Sequence, residues 1–155
     1  MDFAQPTRWA DALAAKADNP LAVPIAGGTD LMVGLNFGRP APAALLDLTR
    51  VAELAEWDRD DGQLRLGAGV PYAQIITELA AEAPALAVAS RTVGSPQIRN
   101  RATVAGNLGT ASPAGDAHPP LLATGATVEA ESVRGTRLIP IDEFFVGVKR
   151  HALAP

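Results

Sequence analysis

The sequence predicts an α+β chain in two lobes: a small N-terminal α/β lobe over residues 1–53, and a larger lobe over residues 54–155 built on a mainly antiparallel sheet with helices. Three observations predict it. An apolar run at 21–26 ends in Gly27-Gly28 and is followed by Leu31-Met32-Val33-Gly34-Leu35, the pattern of strand, glycine turn and helix, with a second apolar run at Leu45-Leu46-Asp47-Leu48. Residues 54–59 and 63–68 then flank Asp60-Asp61-Gly62, whose Asp-Gly pair favours a tight antiparallel hairpin. Residues 103–116 read as one ligand loop: they collect small side chains, hydroxyls, one amide and one carboxylate, which lets ligand atoms approach the backbone closely.

The remaining elements follow in order. Trp9, Ala10, Leu13, Ala14 and Ala17 recur at helical spacing before Asn19-Pro20, so residues 7–17 read as a helix. A helical crossover between the two apolar runs makes them parallel neighbours. Pro71 opens a helix whose buried face is Tyr72, Ile75, Ile76 and Leu79, and a second helix runs from Pro84 to about Arg91. Residues 95–101 are polar and turn-rich. A short helix is expected at 119–123, strands at 127–133 and 136–139, and a helical turn at 141–145.

With 155 residues the chain has room for one core or two small lobes sharing a cleft. A formal net charge of -4 without a long basic run argues against a nucleic-acid surface. The absence of cysteine excludes thiol nucleophiles, disulfides and cysteinyl cluster ligation within the chain, and fits a reducing, cytoplasmic setting. No basic-then-apolar leader opens the sequence, and no stretch approaches the roughly 20 apolar residues of a membrane span.

The two glycine turns carry the chemistry. A strand, Gly27-Gly28 and a helix start can aim several backbone N–H groups at a phosphate, although the same dipeptide also serves to close an ordinary turn. Neither the dinucleotide-binding G-x-G-x-x-G nor the P-loop pattern is present. Asp116 and His118 are too few for a metal site; Asp116 suits accepting hydrogen bonds from ligand hydroxyl or N–H groups, and His118 reads as a polar residue ahead of a helix. Arg99 and Arg101 are open between phosphate neutralisation, partner contact and solvent. Ser95 and Ser112 lack an ordered base, so neither is a nucleophile, and no catalytic or metal-ligating residue is assigned.

Taken together, Ala26-Gly27-Gly28-Thr29-Asp30-Leu31, Val93-Gly94-Ser95-Pro96-Gln97-Ile98-Arg99-Asn100, residues 103–116 and Phe144-Phe145-Val146-Gly147 resemble the FAD-binding medium subunit of molybdenum hydroxylases, the group of xanthine and carbon monoxide dehydrogenases. The resemblance implies a bilobed FAD-binding domain of the vanillyl-alcohol-oxidase (PCMH-like) type, with FAD between the lobes. It implies that Ile25, Ala26, Gly27, Gly28, Thr29 and Asp30 form one pyrophosphate turn and Thr103, Val104, Ala105, Gly106 and Asn107 the other. It places Thr110 and Asp116 at the flavin or ribityl part and Val93 near the ring. Thr29 stands where some relatives carry a flavin-linking histidine, so the FAD is expected to be non-covalent. Ala105 stands where the family commonly has glycine, and its Cβ is expected to restrict the turn. The family continues past residue 155, so the chain reads as truncated.

The function implied is electron transfer: from [2Fe-2S] clusters of a partner subunit, through FAD, to NAD+, oxygen or a quinone, with molybdopterin on a further subunit. The alternatives are a non-catalytic assembly module of such a complex, or a freestanding flavin oxidoreductase of the same superfold.

Overall fold

The computed structural model describes residues 1–153. The chain end at 154–155, part of the truncation reading, lies outside the described residues.

The N-terminal part of the chain contains β1 (Asp2–Ala4), α1 (Trp9–Asp18), β2 (Val23–Ile25), α2 (Leu31–Asn36) and β3 (Ala44–Asp47). β3 lies between β1 and β2 and runs parallel to both, with Leu45 opposite Phe3 and Leu46 opposite Pro24. Parallel strands need crossovers, which α1 and α2 provide. As the central strand, β3 buries Ala44, Leu45 and Leu46. Lys16, in the last turn of α1, donates to the carbonyls of Pro20 and Ala22 at 2.7 and 2.9 Å. A cation there complements the helix C-terminus and directs the chain into β2. β1 was not expected, because three mostly exposed residues show no readable period.

A 3-10 turn at Ala52–Leu54 follows, and then the hairpin β4 (Trp57–Asp60) and β5 (Gln63–Leu66). Asp61 and Gly62 have φ of 44° and 77°, the pair of left-handed residues that a two-residue hairpin turn requires. The helices α3 (Tyr72–Glu78), α4 (Pro84–Ser90), α5 (Pro96–Arg99), α6 (Val104–Thr110) and α7 (His118–Ala123) follow. β6 (Thr127–Ser132), β7 (Gly135–Pro140), α8 (Ile141–Phe144), β8 (Phe145–Gly147) and β9 (Arg150–His151) complete the described elements.

Three expectations need correction. The turn-rich segment 95–101 contains a helix, started by Pro96 and capped by Ser95 Oγ, which accepts from Ile98 N–H. The stretch 103–116 is not one continuous loop: Thr103 Oγ1 accepts from Gly106 N–H at 3.0 Å and starts α6. The antiparallel strands form separate pairs, β4–β5, β6–β7 and β8–β9, rather than one sheet. Five helices intervene between β5 and β6, and those hairpins meet through side chains, with Arg65 donating to both oxygens of Glu129 at 3.1 Å.

The main core joins α3, α4, α6 and α8 through residues including Tyr72, Ile75, Leu79, Leu86, Leu108 and Phe144. A smaller cluster of Ala22, Ala44 and Leu46 lies at the parallel sheet. Tyr72 and Phe144 are both 1% exposed, but the Tyr72 hydroxyl has no hydrogen-bond partner among the described residues. The two residues therefore differ in what their truncation does. Phe144→Ala is expected to cost about 3–5 kcal/mol through lost burial and a cavity. Tyr72→Phe is expected to be neutral or to stabilise by about 1 kcal/mol, because it deletes an unpaired buried hydroxyl. Urea denaturation of the two variants checks both signs.

Candidate functional site

The two turns meet. A Cβ built on Gly27 would lie 2.0 Å from the Arg101 carbonyl oxygen and 2.9 Å from the Ala102 Cα, so only glycine permits this backbone approach. Gly28 follows with φ of 73°, a left-handed turn that leads into α2. On the other side, Tyr72 N–H donates to the Ala102 carbonyl at 3.0 Å, and Pro71 and Thr103 form an isolated antiparallel bridge. The chain before α6 is thus held between the first glycine turn and the start of α3. A cavity of about 140 Å³ opens here, lined among others by Ala26, Gly27, Thr49, Asn100, Arg101 and Thr103. A broader hollow of about 500 Å³ beside β7 and α8 is lined by none of the predicted site residues.

Ala26, Gly27 and Thr103 therefore share one cavity, next to Ile25 at the end of β2 and Gly28. Thr29 is half-buried, and Asp30 is exposed and makes no side-chain cap to α2. Val104, Ala105, Gly106 and Asn107 occupy the start of α6, where the Thr103 hydroxyl already takes the Gly106 N–H. Ala105 lies within α6, and the left-handed non-glycine residues among those described are Asp61, Ala111 and Lys149, so its Cβ meets no restriction of φ. Val93, Thr110 and Asp116 do not line this cavity.

Asp116 accepts from the Thr92 hydroxyl at 2.9 Å, and the same hydroxyl lies 2.7 Å from the Ala89 carbonyl. Burial, and after it the charge of Asp116, raises the Tyr72 phenol above its ordinary pKa. The two arginines separate in role. Arg99 donates to the Val93 and Gly94 carbonyls at 2.8 and 3.3 Å, strapping the turn before α5. Arg101 lines the cavity and forms no ion pair among the described residues. Burial raises the Asp47 carboxyl, yet hydrogen bonds from Thr49 and Gln5 and the charge of Arg101 outweigh it and leave the pKa below the usual value.

Thr49, Thr92 and Tyr72 carried no sequence signal. Thr92 lies 24 positions from Asp116 and Tyr72 sits in an ordinary apolar helix pattern, so only the folded chain relates them.

The cradle, the neighbouring hydroxyls and the Arg101 charge fit a phosphate-bearing ligand. Gly27→Ala is expected to destabilise the chain by about 3 kcal/mol by driving the turns apart, whereas Gly109→Ala, with nothing within 4 Å of its added Cβ, is expected to be tolerated or stabilising within its helix. Thermal unfolding of the two variants checks the contrast.

The family model described as "FAD binding domain in molybdopterin dehydrogenase" matches residues 1–155. The chain is 36% identical over 141 residues to the xanthine dehydrogenase FAD-binding subunit of Escherichia coli O157:H7, covering 89% of this chain and 48% of that protein. It is 39% identical over 132 residues to the nicotinate dehydrogenase FAD-subunit of Eubacterium barkeri, covering 84% and 44%. Among solved structures, carbon monoxide dehydrogenase from Hydrogenophaga pseudoflava superposes with a TM-score of 0.93 at 27% identity, covering 99% of this chain and 55% of that chain. Quinoline 2-oxidoreductase from Pseudomonas putida 86 gives 0.93 at 29% identity with the same coverage. The chain spans about half the length of the curated relatives it matches. Among the described residues no helix is long and apolar enough to cross a membrane. The α+β fold, the junction of the two glycine turns and the match over residues 1–155 agree: the chain belongs to the family of FAD-binding domains of molybdopterin dehydrogenases.

Proposed function

We propose that the chain binds FAD non-covalently as the flavin-carrying part of a molybdenum hydroxylase complex of the xanthine or carbon monoxide dehydrogenase kind. The observation that carries this reading is the contact of Gly27 with the Arg101–Ala102 backbone, which brings two turns from distant parts of the sequence to one cavity. On this reading the fold is of the bilobed vanillyl-alcohol-oxidase type, divided into residues 1–53 and 54–155. Residues 25–30 and 103–107 hold the pyrophosphate. Thr110 and Asp116 meet the flavin or ribityl part, and Val93 lies near the ring.

The bound flavin would supply the redox chemistry, relaying electrons from [2Fe-2S] clusters of a partner subunit to an acceptor such as NAD+, oxygen or a quinone, with molybdopterin held on another subunit. The chain's own contribution is positioning. Gly27 admits close backbone approach, and Thr49 and Thr103 offer hydroxyls beside it. Arg101 brings an unpaired positive charge to the cavity.

Reconstitution tests the reading. FAD at about a hundredfold excess over its Kd is expected to raise Tm by roughly 5–10 °C, and flavin absorbance is expected to stay with the protein through gel filtration. An unchanged Tm together with colourless protein after gel filtration overturns it.

A further inference from the structure

We propose that His118 is a positioning residue that fixes the side-chain amide of Asn107 so that its N–H donors face the ligand. The inference rests on the reading that the turn at 103–107 holds the FAD pyrophosphate. His118 is 9% exposed, and its ring packs against Phe145 with centroids 4.2 Å apart. Its Nε2 is buried without a hydrogen-bond partner, and so is Asn107 Oδ1. Both atoms converge on Gly115: a Cβ built there would lie 2.4 Å from His118 Nε2 and 2.7 Å from Asn107 Oδ1. The two atoms are thus no farther apart than the sum of those lengths, a span that a small side-chain rotation or one bridging water closes.

Their chemistry is complementary. A neutral imidazole with its proton on Nε2 donates, and an amide oxygen only accepts. The Asn107 main-chain N–H donates to the Thr103 carbonyl at 3.0 Å, while its side-chain Nδ2 makes no hydrogen bond with the described residues and Oδ1 is buried. With the oxygen occupied by His118, the NH2 end is the one left to meet an acceptor, which is what a phosphate oxygen requires. Loss of the imidazole donor removes the preference between the two amide orientations, one of which opposes a carbonyl oxygen to the phosphate. Gly115 is the spacer: any side chain there would occupy the point where the two groups meet. Unpartnered, both buried atoms burden the fold, so the arrangement favours ligand binding over stability.

Fluorescence titration of the full chain with FAD, with Tm of the FAD-free protein measured in parallel, tests this. His118→Leu and His118→Met, which remove the donor and keep apolar volume, are expected to weaken FAD binding roughly tenfold with Tm unchanged or raised. His118→Gln, which restores an N–H donor, is expected to recover most of the affinity. In an Asn107→Ala background, His118→Leu is expected to have no further effect on FAD affinity. Wild-type affinity in the Leu and Met variants overturns the proposal, as does an equal loss in the Asn107→Ala background or failure of both variants to fold. Wild-type protein that binds no FAD overturns the underlying reading and this inference with it. Wild-type binding that is lost in Asn107→Ala but intact in His118→Leu overturns the inference alone.

Discussion

The contact between Gly27 and the Arg101–Ala102 backbone admits no side-chain carbon, and the placing of β2 beside the segment entering α6 depends on it. It joins a turn at the end of a parallel strand to that segment, about seventy-five residues later by the sequence numbering. The carbonyl of Ala102 also receives the Tyr72 N–H, so the same dipeptide connects the parallel sheet, the start of α3 and the entry to α6. Backbone contact is short and stiff, which suits a cavity walled by segments distant in sequence.

The two buried clusters differ in how they are supported. The one at the parallel sheet is thin, Ala22, Ala44 and Leu46, and polar contacts such as the Lys16 clamp and the hydrogen bonds at Asp47 reinforce it. The other is the aromatic and aliphatic core around Tyr72, Leu79 and Phe144. Ala111, at the end of α6, is buried and left-handed at φ of 46°, and its carbonyl receives the Lys149 N–H at 2.9 Å. The left-handed conformation costs an alanine roughly 1–2 kcal/mol. Here the end of α6 and the β8–β9 turn are fastened together by it.

Much of this was legible in the sequence because it was written locally. The strand–glycine–helix pattern near Gly27, the Asp61-Gly62 hairpin, the proline-opened helices and the hairpin around Arg134-Gly135 each declare themselves within a few residues. What escaped has a common cause. β1 is too short for periodicity, and α5 and α6 are made of residues that suit turns as well as helices, with their caps at Ser95 and Thr103 deciding between them. Of the candidate site, the small-residue turns could be recognised, because close approach restricts residue type. The Thr92–Asp116 pair, the convergence of Asn107 and His118 on Gly115, and the position of Arg101 arise from long-range folding and have no local signature.

The Thr92 hydroxyl has one proton and two acceptors in reach, the Ala89 carbonyl and the Asp116 carboxylate. The proton serves one at a time, so the hydroxyl keeps a protein acceptor whichever of the two takes it. The side chain at 92 is thus never left with a stranded donor, whereas the carboxylate would give up a hydrogen bond worth about 1.5–3 kcal/mol by turning away. A ligand that drew Asp116 toward itself would have to replace that one bond, and Thr92 would need no new partner.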